Sequence, residues 1–174
     1  MRMCLFLVFL LTGCASWART RVAPHLDVGF AAGGRVSRER TQDPSLVRVA
    51  GGFGATQWMS HGEGAARRYM ALGGGLVIGA HQAQDPDVGA EILVAPPRAD
   101  RHAGFQFRLG PRVSFDLERA GVVFAAEWAH WLMGALYAEA SYNMLGDEGA
   151  FLFGARVNLL LPYTLIRVDT VVLD

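Results

Sequence analysis

A chain of 174 residues suits a single domain once any targeting segment is set aside. Hydrophobic residues make up 52% and charged residues 18%, less charge than soluble domains usually carry, and the longest apolar run is too short for a membrane-spanning helix. The sixteen basic residues, all arginine, balance sixteen acids, so there is no basic surplus to neutralise phosphates, which argues against a nucleic-acid partner.

Residues 1–13 have the form of an export signal, with Arg2 as its positive end and Met3 to Leu11 as its apolar stretch. Leu11-Thr12-Gly13-Cys14 resembles a bacterial lipobox, in which the cysteine becomes the acylated N-terminus and carries palmitate-type chains. Ala15 after the cysteine implies outer-membrane sorting in such lipoproteins. The alternative is ordinary cleavage after Ala18, with Ser16 and Ala18 as the small residues. Cys4 lies within the signal, so the body of the mature protein has no thiol for a disulfide, a metal site or a nucleophile. Residues 15–24 lack periodicity and end in Pro24, the pattern of a linker, and residues 25–174 form the remaining domain.

From there the chain alternates apolar with polar or small residues at a period of two, the mark of a strand with two different faces. The predicted strands are 26–37, 46–58, 68–81, 88–95, 102–118, 121–132, 136–144 and 150–161. The first sets Leu26, Val28 and Phe30 against Asp27, Gly29, Ala31 and Arg35. The second opposes Val47, Val49 and Phe53 to Arg48, Gly52 and Gly54. The third opposes Leu72, Leu76 and Ile78 to Ala71, Gly73 and Gly75. The fourth carries Glu91 on its polar row, and Pro96-Pro97 is expected to stop it. The fifth is the clearest, with Phe105, Phe107, Leu109, Val113 and Phe115 on one face and Arg108, Arg112 and Asp116 on the other. The sixth reads as a strand from Val122, Val123 and Phe124, although its Ala, Leu and Met content also suits a helix. The seventh places Glu139 opposite Leu136 and Tyr142, and the eighth places Arg156 opposite Phe151 and Phe153. The tail 162–174 either passes beyond these strands or adds one more.

Eight alternating strands with short connections point to an all-β, antiparallel up-and-down barrel, because closure removes unpaired edges. Alternation alone leaves the direction of the apolar face open. Glycine and alanine on the polar rows favour an apolar exterior, since a narrow lumen needs small residues beside its charged ones. That row also gathers Arg35, Arg48, Glu91, Arg108, Arg112, Asp116, Glu139 and Arg156 as a lumen charge network, five basic residues against three acidic. The alternations GGFGA, ALGGGLVIGA, FRLGPRVSFDL and LFGARVNLLL resemble small bacterial outer-membrane β-barrel proteins of the eight-stranded OmpA-like or OmpW-like type. The resemblance implies a structural or narrow-pore role in the cell envelope, with outer-membrane lipid as the partner and a monomeric state. The alternative is a periplasm-facing lipoprotein whose soluble barrel binds an apolar ligand.

No enzymatic chemistry, cofactor or protein partner is expected. The histidines His25, His61, His81, His102 and His130 lack the spacing of a helical zinc motif. Ser60-His61 is adjacent in sequence, but strand neighbours point to opposite faces. Trp58, Tyr69 and Tyr142 at strand ends are candidates for an interfacial aromatic belt, more so than Trp128 or Trp131.

Overall fold

The computed structural model describes residues 18–36, 45–82, 84–100, 103–130 and 134–160. The export signal with Cys14, His102, Trp131 and the 162–174 tail lie outside them. Eight strands follow in order: β1 (Ala18–Val36), β2 (Ser45–His61), β3 (Arg68–His81), β4 (Gln84–Arg98), β5 (Ala103–Ser114), β6 (Ala120–His130), β7 (Gly134–Asn143) and β8 (Glu148–Asn158). Each pairs antiparallel with its sequence neighbours, and β1 closes on β8 from Asp27↔Asn158 to Val36↔Gly149. The result is a closed up-and-down barrel in which neither terminal strand keeps a bare edge over that register.

The apolar rows face outward. Phe105 and Phe107 are 58% and 38% exposed, whereas Arg108 between Phe107 and Leu109 is 5% exposed. The same division holds around the wall: Leu26, Phe30, Phe53, Ile78, Ile92, Phe124 and Phe153 are exposed, and Asp27, Arg48, Glu91, Glu127 and Glu139 are buried. Outside, Phe105 meets Trp128 edge to face at 4.9 Å and Phe107 stacks on Phe124 at 6.0 Å.

Three sequence expectations change in detail, at β1, β4 and β5, and the strand reading of β6 holds. β1 starts at Ala18, so pairs such as Pro24↔Ala55 reach into the segment read as a linker. β4 runs through Pro96-Pro97. It can do so because Pro96 and Pro97 fall in the register shift between Ala71↔Ala95 and Tyr69↔Arg98 on the β3 side and beyond the last β5 pair at Val94↔Phe107, so neither has to donate to a ladder. β6 is a strand, flanked by ladders to β5 and β7 that reward an extended chain more than helix propensity resists it. β5 stops at Ser114, although the sequence alternation runs past it. There the chain turns, with Leu117 at φ 62. The Ser114 hydroxyl oxygen accepts the Arg119 N–H at 3.0 Å, and the Asp116 carboxylate accepts the Glu118 N–H at 3.0 Å.

Candidate functional site: a charged plug across the lumen

The inward rows of eight strands converge on a narrow lumen, and the small residues there make space for long ones. A Cβ on Gly79 would lie 2.8 Å from Arg48 Nε and from Asp87 Oδ1, and one on Gly89 would lie 2.6 Å from Arg112 Cδ. Side chains larger than hydrogen at these positions would displace the guanidinium groups.

Two layers of ion pairs result. Toward the end of the barrel away from the chain termini, Arg48 on β2 reaches across to β7. Its Nη1 donates to Glu139 Oε1 and Oε2 at 2.7 and 2.8 Å, and its Nη2 donates to Asp87 Oδ1 at 3.3 Å. Asp87 Oδ2 is 2.6 Å from His81 Nε2. In the middle of the lumen, Arg108 is surrounded by carboxylates. Its Nη1 donates to Glu91, its Nη2 to Asp27 Oδ2 at 3.1 Å, and its Nε to Glu127 Oε2 at 3.1 Å. Glu127, 0% exposed, also accepts Gln106 Nε2 at 2.7 Å. Arg156 Nη2 lies 2.6 Å from Glu127 Oε1, an ion pair out of hydrogen-bond alignment, and its guanidinium sits 4.7 Å over the Tyr137 ring. Arg112 connects the layers through a 3.4 Å contact from Nη2 to Glu91 Oε2, with its Nε and Nη1 unpartnered.

Charge nearly balances: Arg48, Arg108, Arg112 and Arg156 face Asp27, Asp87, Glu91, Glu127 and Glu139, with His81 against Asp87. Pairing of this kind is what lets ions persist away from water, since an isolated buried charge costs several kcal/mol. The network also divides the lumen. One vestibule, of ≈ 90 Å³, is lined by Arg35, His81, Asp87, Arg112 and Ser141. The other, of ≈ 80 Å³, is lined by His25, Thr56, Trp58, Gln106 and His130. Between them, beside Arg48, Glu91, Arg112, Glu139 and Arg156, the space is ≈ 10 Å³, room for about one water molecule.

Of the eight residues expected in this network, Arg48, Glu91, Arg108, Arg112, Glu139 and Arg156 are brought together by ion pairs. Arg35 is half-buried at the vestibule, and Asp116 is exposed in the β5–β6 turn, outside the lumen. Asp27, Asp87, Glu127, Gln106 and His81 complete the network unannounced. Asp27 was legible, since it shares a row with Gly29 and Ala31. Asp87 needed β4 to start earlier, and Glu127 needed β6 to be a firm strand. Trp58, expected in an outer belt, points to the lumen side, where the Arg98 guanidinium lies 5.0 Å from its ring. Tyr142 and Trp128 are 50% and 51% exposed on the outside. His25 Nδ1 lies 3.4 Å from Thr56 Oγ1, and Ser60-His61 ends β2 opposite Tyr69 and Arg68. No group of three metal-ligating side chains occurs among the described residues.

No protein family profile matches the chain, and no curated protein does. Among solved structures, it is similar to Ail, the attachment invasion locus protein of Yersinia pestis, at 11% identity and a TM-score of 0.27, over 78% of this chain and 97% of that one.

Proposed function

We propose that this chain is an outer-membrane β-barrel with a structural role in the cell envelope, its lumen closed by the ionic plug. The observation that carries the reading is the inversion of the wall: large apolar side chains are exposed around the barrel while the charges are buried inside. In water such a surface would aggregate; in a bilayer it is the expected lipid-facing band. Closure supports the same reading, because only a barrel without open edges satisfies strand backbone groups in hydrocarbon. Strands of 10 to 19 residues are long enough for tilted spanning strands. A lumen narrowed to ≈ 10 Å³ between its vestibules favours the structural role over a standing pore. A lumen lined by Arg108, Glu91 and Glu127 is poorly suited to an apolar ligand. Acylation of Cys14 would add a second hold on the same membrane.

The test removes that hold. Cys14→Ala is expressed in a diderm bacterium, and the membranes are washed with carbonate and then extracted with detergent. The reading expects the variant in the detergent extract only, running on gels as a heat-modifiable monomer. Recovery as a folded, detergent-free soluble monomer would overturn it.

A further inference from the structure

The guanidinium groups of the lumen are not equally committed. Arg48 and Arg108 each make three hydrogen bonds to carboxylates. Arg112 makes one, to Glu91 Oε2 at 3.4 Å, the longest ion contact of the network. Glu91 is in turn held by Arg108. Arg112 is buried all the same, and its Nε and Nη1 have no hydrogen-bond partner. Unmade hydrogen bonds from a buried charged group are costly, and so is charge that is weakly paired away from water. A guanidinium so placed calls for an acceptor.

Arg112 borders the ≈ 90 Å³ vestibule on one side and the ≈ 10 Å³ space between the layers on the other, so its guanidinium has room to turn. His81 lines the same vestibule. Its Nε2 is committed to Asp87, and its Nδ1 is buried without a partner. The buried acids of the vestibule are already taken. Glu139 meets Arg48 with both oxygens, and Asp87 divides its oxygens between Arg48 and His81. The rim adds Arg35 and Arg119 against Glu148, so four guanidinium groups line the vestibule against three carboxylates. Leu46, Val123 and Ala150 give it an apolar wall, and surroundings of low polarity strengthen the attraction between charges. Ser141, the next inward residue after Glu139 on β7, adds a hydroxyl.

We propose that this vestibule binds one small oxyanion, a carboxylate or phosphate group, with Arg112 as its cationic ligand and Ser141 as a hydroxyl donor. The planar guanidinium suits two oxygens of such a group. A neutral solute would leave the charge of Arg112 unmatched, and a cation would meet carboxylates that are already paired. The site lies inside the barrel. It goes beyond the structural role and does not depend on what covers the outer wall.

The experiment uses the full chain folded in detergent micelles, titrated into isotope-labelled acetate or inorganic phosphate, with binding read from the broadening of the carbon or phosphorus NMR line. Wild type is expected to broaden at least one of the two lines saturably, and the tighter binder tells a carboxylate site from a phosphate site. Excess glycerol, a neutral solute, should not reverse the broadening. Arg112→Gln is expected to weaken binding about tenfold, the loss of one charge-assisted contact. Ser141→Asp places the chain's own carboxylate in the vestibule and is expected to abolish binding, whereas Ser141→Asn, which keeps a donor without the charge, retains it. The heat-dependent gel shift checks that each variant is folded, and the Ser141 pair decides the matter if Arg112→Gln does not fold. No saturable binding of either anion to wild type would overturn the proposal, and so would undiminished binding by Ser141→Asp or by folded Arg112→Gln. A chain that stays folded and soluble without detergent would sink the membrane reading and leave this test unchanged.

Discussion

Arg48 and Glu139 stand 91 positions apart in sequence, yet Arg48 Nη1 lies 2.7 Å from Glu139 Oε1 across the lumen. The pair joins β2 to β7, strands that share no ladder, so it braces the wall across the lumen. Removing one partner leaves a charge with reduced company in a dry site. Arg48→Met, which orphans Glu139 and leaves Asp87 with His81 alone, is expected to cost about 3–5 kcal/mol. Arg48→Met combined with Glu139→Met should recover much of this. Urea unfolding of wild type, Arg48→Met, Glu139→Met and the double variant in micelles, followed by tryptophan fluorescence, checks the expectation. Simple additivity of the two single changes would show that the pair is not coupled.

The middle layer gives a different expectation. Arg108 and Glu127 occupy the centre of the lumen, between vestibules of ≈ 90 and ≈ 80 Å³. Wild type in planar bilayers is expected to pass almost no current. Arg108→Ala with Glu127→Ala should raise single-channel conductance several-fold, provided the protein still shows the heat-dependent gel shift of a folded barrel. Unchanged conductance would mean that something other than this layer closes the lumen.

On the outside, the cost of charge should follow depth. Leu109 lies midway along β5 and is 51% exposed, whereas Phe115 lies just past its end and is 61% exposed. Similar exposure makes them a fair comparison. Leu109→Arg is expected to destabilise by about 2–4 kcal/mol in a bilayer, and Phe115→Arg by about 0–1 kcal/mol. Equilibrium folding into phospholipid vesicles measures both. Equal costs would deny that the two positions differ in membrane depth.

Close backbone approach sets a further test. A Cβ at Gly110 would fall 1.8 Å from the Ala90 carbonyl oxygen across the β4–β5 seam, while one at Gly51 would meet nothing nearer than 3.9 Å. Gly110→Ala is therefore expected to cost about 1–3 kcal/mol through overpacking. Gly51→Ala should be nearly silent. Thermal loss of the heat-modifiable gel band ranks the two.

Much of this was legible along the chain, and the failures have physical causes. The alternation of residues 102–118 placed Phe105, Phe107, Arg108 and Arg112 on their proper faces, because side-chain direction in a strand has a period of two. It misled at Asp116, because a turn can carry an alternating sequence without being a strand. Ser114 and Glu118 hold Asp116 there by hydrogen bonds, which keep its carboxyl below the usual carboxylate range. Glu127 was hidden because a segment rich in alanine satisfies a helix as readily as a strand until neighbouring ladders choose. Trp58 read as a belt residue from its position near a strand end, but its even-numbered place on β2 puts it with Arg48 and Thr56 on the inner row.

The sequence by itself determined that the chain forms two-faced strands joined by short turns, because periodicity is a local property that any strand obeys. Tertiary structure alone decided which charges meet. Arg108 finds Asp27, Glu91 and Glu127 from three other strands only once the barrel closes and its register is set. Closure also decided the face that is buried. A lumen this narrow admits charge where guanidiniums such as those of Arg48 and Arg108 find carboxylates opposite, and where glycines such as Gly79 and Gly89 leave room beside Arg48 and Arg112. That condition belongs to the ring of strands and to no single strand.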